Sequence, residues 1–164
     1  MSRYQPYTKQ ELNTQAKEYC ATLRNRVINH RRNSCEEEFS STKTDWWDIA
    51  RVAAVCATPK PPFSSERGRN CSYMRNAHPI LQRAYERKGM TVGQKPMRTG
   101  DGKEHFAAGQ CAEPHAAHKL LNTIDKGGQR IAVEEIVFSL AYKVKNGMVR
   151  PYCETCKTVF PQLR

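Results

Sequence analysis

Between Glu11 and His30 the residues Leu12, Ala16, Tyr19, Cys20, Leu23 and Val27 recur at steps of three and four. That spacing draws one apolar stripe along a helix whose remaining surface is polar. A second helix is expected after Thr44, an N-cap type followed by Asp45 and Asp48, where carboxylates favour the positive end of the helix dipole. Trp46, Trp47, Ile49, Val52, Ala53 and Ala54 would make that helix mostly buried. The stretch TPKPPFSSERGRN ends this pattern, because Pro59, Pro61 and Pro62 each remove a backbone donor and stop a helix.

Beyond the prolines the pattern mixes both periods. His78 and Pro79 open a short helix with Ile80, Leu81, Ala84 and Tyr85 on its apolar face and Gly89 beyond its end. Met90 to Met97 and Glu104 to Ala108 are strand candidates around a TGDG turn. Cys111 to Asn122 reads as a helix that packs through Ala112, Ala116, Leu120 and Leu121. In EEIVFSLAYKV the residues Ile136, Phe138, Leu140, Tyr142 and Val144 alternate, which predicts one strand with a single apolar face. After KNGMVRP a last short helix starts at Cys153. The expected organisation is a helical extension, residues 1–60, packed on an α/β domain, residues 61–164.

The cysteines give this outline a chemistry. There are seven, so they cannot all pair within one chain. Cys20, Cys35, Cys56 and Cys71 show no ligand spacing; Cys20 on the helical stripe and Cys56 in RVAAVCA read as small buried apolar residues. The others are Cys111 in GQCAEPHAA and the pair Cys153 and Cys156 in VRPYCETCKTVF. An order of strand, cysteine-bearing helix, strand, cysteine-bearing helix sets the two helix N-termini side by side on one face of a sheet. Three thiols then converge, and zinc accepts three thiolates with a fourth position left for water. Glu113, two residues beyond Cys111, would face that position without ligating; its plainer reading is a carboxylate at a helix start. Cys153 and Cys156 taken alone also fit half of a closed structural zinc site or a redox pair. His115 and Arg150 are placed to offset the negative charge of three thiolates, while Tyr152 and Phe106 would either stack a base or fill the core.

Charge narrows the partner. Lys and Arg number 27 against 16 Asp and Glu, a net +11, which favours an anionic partner such as nucleic acid over a neutral metabolite. The basic residues gather in RNRVINHRR, at Arg67, Arg69 and Arg75, and in ERKGMTVGQKPMR; the bland reading is a solvated basic surface. No apolar run approaches the roughly 20 residues of a membrane span, and no apolar segment follows the polar Met1 to Gln10, so a soluble protein is expected.

Taken together, CAEP and RPYCETC resemble the signature of the zinc-dependent cytidine deaminase superfamily, in which His or Cys, any residue and Glu are followed much later by P-C-x-x-C. With its N-terminal helical extension, its basic charge and its end soon after the second motif, the chain is most similar to deaminase domains of bacterial polymorphic toxins of the YwqJ-like group. The matching motifs lie within about residues 105 to 160. The resemblance implies a three-layer α-β-α sandwich around a mixed sheet, with the helical extension before it. It implies a hydrolase acting on the C–N bond of a cyclic amidine, turning cytosine to uracil in DNA or RNA. Zn²⁺ would be held by Cys111, Cys153 and Cys156, Glu113 would move protons, and Tyr152, Phe106, His115 and Arg150 would meet the substrate. A toxin domain of this kind would work in a target-cell cytoplasm and have a neutralising immunity protein, with no membrane partner. The chain departs from the signature where Tyr152 separates Pro151 from Cys153, and eight residues follow Cys156. The F-x-x-x-N-x-E-N stretch by which free-nucleoside deaminases hold ribose is absent from the sequence. The alternatives are a free-nucleoside deaminase and a non-catalytic nucleic-acid-binding protein held together by zinc.

Overall fold

The computed structural model describes residues 7–32, 51–58, 63–70, 74, 76–93 and 108–164. The first helix, α1, spans Lys9–Arg32. Thr8 starts it, its hydroxyl accepting the Glu11 N–H at 3.1 Å and so satisfying one of the donors a helix start leaves open. Leu12, Ala16, Cys20 and Leu23 are buried along the expected stripe. Tyr19 is half-buried, with the Arg67 guanidinium 4.8 Å from its ring centre. The side chain of Val27 and residues 44–50, including Trp46 and Trp47, lie outside the described residues.

Residues 51–54, expected to belong to a second helix, are strand. They open β1, Arg51–Ala57, the middle of the sheet. RVAAVCA is a short apolar run, and such a run does not by itself distinguish a buried helix turn from a buried strand. What decides it is a partner about 80 residues away, which fills the hydrogen bonds of one edge of β1. On that edge lie β3, Val137–Phe138, and β4, Ala141–Lys143; on the other lies β2, Ser65–Arg69; β4 in turn carries β5, Val149–Arg150.

Every pairing among the described residues is antiparallel, which corrects the expectation of a mixed sheet. The connections explain it: β1 to β2 and β4 to β5 are joined by short links that reverse the chain, the second turning at Gly147 with φ +73°, whereas a parallel neighbour requires a long crossover. The coarse class is therefore mixed α/β with a small antiparallel sheet. Of the strand candidates at 90–97 and 104–108, only 90–93 and 108 are described, and they carry turn and irregular backbone.

The long strand expected over residues 134–144 is also interrupted. Val133–Glu135 form a 3-10 turn, and the ladder stops at Ser139 and Leu140 between β3 and β4. There the Leu140 N–H is taken by the Asn13 side chain at 2.7 Å, and the Ser139 hydroxyl bonds the Leu140 carbonyl at 2.7 Å. The apolar alternation changes face across this gap: Ile136 and Phe138 enter one core, Tyr142 and Val144 the other.

Those two cores organise the helices. Leu12, Ala16, Cys20 and Leu23 of α1 close over Ala57, Tyr142 and Val144. The larger core gathers α2, Pro79–Glu86, α3, Ala112–Ile124, and α4, Glu154–Val159, against Ile136 and Phe138. The His78 ring caps α2: Nδ1 accepts the Ile80 N–H at 3.2 Å while Nε2 lies 2.7 Å from the Asp125 carbonyl. A carbonyl only accepts, so the ring is the neutral tautomer protonated on Nε2. The His78 N–H in turn donates to His118 Nδ1 on α3 at 3.1 Å, tying the two helices together.

The seat of α3 depends on one missing side chain. A Cβ on Gly68 of β2 would stand 2.6 Å from the Ala112 carbonyl oxygen and 2.9 Å from the Ala116 Cα, both backbone atoms of α3. Glycine on the strand and alanines on the helix let the two backbones approach, which fixes where the N-terminus of α3 emerges. No helix among the described residues is long and apolar enough to cross a membrane.

Candidate metal centre

Two of the helices that share the larger core each begin on a cysteine. Cys111 is the N-cap of α3 with φ −71° and ψ 166°, and Cys153 is the N-cap of α4 with φ −73° and ψ 160°. The extended backbone at each cap turns the side chain out of the helix toward the space between the two N-termini. Cys156 adds a third sulfur from the first turn of α4, and its N–H donates to Cys153 Sγ at 3.4 Å. The sulfurs of Cys111, Cys153 and Cys156 all lie within 4.8 Å of one another, with Cys111 and Cys153 3.2 Å apart as free thiols.

This donor set fits a metal ion. Around a tetrahedral zinc with bonds of about 2.3 Å, sulfurs sit about 3.8 Å apart, within the spread observed. Three thiols and no hard oxygen ligand suit a soft or borderline cation rather than calcium or magnesium. Hydrogen bonding to Cys153 leads the causes that push the Cys111 thiol far up, and hydrogen bonding to Cys111 and Cys153 does the same for Cys156, with burial adding to both. Three thiols packed this way suppress one another's ionisation, and a cation between them reverses the balance.

Glu113 is 4 % exposed in the first turn of α3. Its charge acts on Cys111, Cys156 and Tyr152, so it lies beside the sulfurs, yet it does not belong to the ligating group. A cleft of about 340 Å³, counting its open mouth, is lined by Cys111 and Cys153 together with Glu113, Asn70, Gln110 and Pro151. The cluster is therefore accessible from one side, next to a buried carboxylate.

The other residues singled out by sequence fall differently. Tyr152 is half-buried beside the centre, but its hydroxyl donates to the Ser139 carbonyl at 2.8 Å and accepts from Lys9 Nζ at 3.2 Å, and it does not line the cleft. Arg150 pairs with Ala141 in the β4–β5 ladder and is not in the cleft wall either. The half-buried His115 ring has charged neighbours in His118, Lys119 and Arg69; burial first, then those charges, bring its pKa down to about 4. Its Nε2 is enclosed without a hydrogen-bond partner. Phe106 lies outside the described residues.

Sequence reading missed Gln110, the residue before Cys111, and Asn70, which borders the cysteines only once β2 and α3 are docked. It also missed the hydroxyl of Tyr85, whose ring was expected on the apolar face of α2. That ring is 1 % exposed, and all three cysteines act electrostatically on its oxygen. Nothing in the periodicity of an apolar helix face marks where a phenol's oxygen ends.

No protein-family model, curated protein or solved structure matches the chain.

Proposed function

We propose that this chain is a zinc-dependent hydrolytic deaminase of a nucleic-acid base, turning cytosine to uracil in DNA or RNA, built on a three-layer cytidine deaminase-like sandwich. The observation that carries the reading is the pairing of three convergent sulfurs, delivered by two helix N-termini, with a buried carboxylate beside them that lies outside the sulfur group. A spacing read in sequence as a Cys-x-Glu helix and a later Cys-x-x-Cys helix is thereby one compact site opening on a cleft.

Zinc held by Cys111, Cys153 and Cys156 supplies Lewis-acid activation of water. The chain's own part falls to Glu113. Its carboxylate takes a proton as water adds to the ring carbon bearing the amino group and passes it to the ring nitrogen; it then takes the hydroxyl proton of the adduct as the carbonyl forms and gives it to the departing nitrogen, so that ammonia leaves. A carboxylate that moves two protons in turn needs to lie close to the metal without being tied up as its ligand. The site's partial closure supports this use, since a carboxylate shielded from bulk water exchanges protons with substrate rather than solvent.

Net charge of +11 favours a polymeric substrate, because phosphate contacts give affinity independent of sequence. A base in a duplex would be flipped out, or met in a single strand, to reach the cleft. A delivered toxin domain with a neutralising partner protein is the biological setting this reading fits. The test is a panel of cytosine-bearing DNA and RNA oligonucleotides and free nucleosides, read by mass spectrometry and sequencing. Uracil in the oligonucleotides alone is expected. Conversion confined to free nucleosides assigns the site to small substrates, and zinc and oligonucleotide binding without conversion makes the protein a zinc-stabilised binder.

A further inference from the structure

Two buried side-chain polar atoms among the described residues lack a hydrogen-bond partner: His115 Nε2 and the hydroxyl of Tyr85. The charged neighbours of the first are His118, Lys119 and Arg69. The second belongs to the sulfurs' own surroundings. Tyr85 ends on the same core as Cys153 and Cys156, its ring set edge-on to Phe160 at 6.2 Å between centres, and it is 1 % exposed. The backbone of Gly109, two residues before Cys111, lies alongside, but its geometry does not complete a hydrogen bond to the phenol. An orphaned hydroxyl in a close-packed core is costly, and phenylalanine would fill the same space without it. The oxygen therefore calls for a partner that the protein acquires in use.

We propose that Tyr85 is a positioning residue of the metal centre, its O–H donating a hydrogen bond to the thiolate shell formed by Cys111, Cys153 and Cys156 when a metal is bound. As thiols the three sulfurs share hydrogen bonds among themselves and have no need of the phenol. As thiolates they lose those protons and gain acceptor capacity in a buried place, where each charge-assisted donor counts for more than in water. Three thiolates around a divalent cation leave one net negative charge. A neutral donor lowers that burden without competing for a coordination position. A phenol is protonated at neutral pH, so it is a donor. Gly109, at φ +81°, turns the chain two residues before Cys111.

The inference rests on metal occupancy of the site proposed above and not on the deaminase reaction, so it is read without activity. The experiment compares purified wild-type protein with Tyr85→Phe for zinc affinity, using a chromophoric chelator as competitor, and for the sulfur-to-metal charge-transfer band after cobalt substitution. Tyr85→Phe is expected to bind zinc about ten- to a hundredfold more weakly. Its cobalt band should move to lower energy, because a sulfur lone pair relieved of a hydrogen bond gives up its electron more easily. The metal-stripped variant should melt at or above the wild-type temperature, since an unsatisfied buried hydroxyl has been removed. A merely structural tyrosine gives the opposite set: a lower melting temperature without metal, unchanged zinc affinity and an unshifted band. That set overturns the proposal, as does a variant that matches the wild type in both affinity and band. A wild-type protein that takes up no zinc overturns both this inference and the metal reading, whereas zinc binding equal in the two proteins overturns this inference alone.

Discussion

Replacing Gly68 by alanine puts a methyl carbon where α3 already stands. The new Cβ would meet the Ala112 carbonyl oxygen at 2.6 Å and the Ala116 Cα at 2.9 Å. An ordinary C···O contact is near 3.3 Å, so strand and helix must part by at least roughly 0.7 Å. These two atoms and the Ala116 nitrogen, which lies nearer still, are all backbone, and a helix cannot swing one residue aside as a flexible side chain can. Overpacking of this kind costs about 1–3 kcal/mol, and here the upper part of that range applies. The smaller conformational freedom of alanine in the unfolded chain offsets about 0.4–1 kcal/mol, which leaves a net loss of about 2 kcal/mol. For a chain of 164 residues that corresponds to a fall of about 4–8 °C in Tm. The shift also moves Cys111 against Cys153 and Cys156, so zinc affinity should drop about tenfold or more. Gly127→Ala is the matched control: no atom lies within 4 Å of its Cβ position, and it should leave both readouts unchanged or raise stability slightly. Differential scanning calorimetry and chelator competition on the two variants suffice. A Gly68→Ala protein that melts with the wild type and holds zinc as tightly would show that the close approach of β2 and α3 does not set the site.

Asp125, at the end of α3, is 4 % exposed and accepts the backbone N–H groups of Gln129, Arg130 and Ile131 at 3.1, 2.9 and 2.8 Å. Burial opposes its charged form, but those three donors outweigh it and hold the carboxyl below its ordinary range, so its contribution is present above the unfolded value of about 3.9 and lost as pH falls through the folded one. Asp125→Asn should cost about 2–3 kcal/mol at neutral pH in urea melts and remove that acid-dependent part; a neutral substitution rejects the account. His115 behaves with the opposite charge: its folded pKa of about 4 lies below the unfolded value, so the unfolded chain binds more protons and stability is lost as pH falls from about 6.5 to about 4. The full shift would correspond to about 3.4 kcal/mol, which screening at a half-buried ring reduces to about 1–2 kcal/mol. His115→Phe should flatten part of that slope in melts between pH 4 and 7, and an undiminished slope assigns it to other groups.

The parts of the molecule that sequence revealed are those whose causes are local. The stripe of Leu12, Ala16, Cys20 and Leu23 is a property of one helix, and the spacing of Cys153 and Cys156 is fixed within one turn. His78 with Pro79 announced α2, and Gly89 takes the positive φ expected beyond its end. What stayed hidden depends on partners remote in sequence. RVAAVCA became a strand because residues 137–143 lie beside it, and the even alternation from Ile136 to Val144 failed because Asn13, on α1, takes a backbone donor from the middle of the run. The same holds at the metal centre. Three sulfurs and a carboxylate were legible as a set, whereas the hydrogen bonds that tie the Tyr152 hydroxyl to Ser139 and Lys9 were not, because those partners are set by the fold. Gly68 shows how far such dependence reaches, since a glycine in a strand acquires its meaning from the helix that lies across it.

The central claim is that Glu113 moves protons beside a metal it does not bind, and one preparation of Glu113→Gln tests it. Glutamine keeps the shape and one hydrogen-bonding oxygen but cannot accept and return a proton. Zinc content per chain and the rate of cytosine conversion in an oligonucleotide are measured on the same sample as for the wild type. The account predicts zinc content within error of the wild type and a rate lower by at least about 10²- to 10⁴-fold, the range for a lost general acid and base. A Glu113→Gln protein that still converts cytosine at near the wild-type rate contradicts it, and one that loses its zinc shows the carboxylate to be a ligand instead.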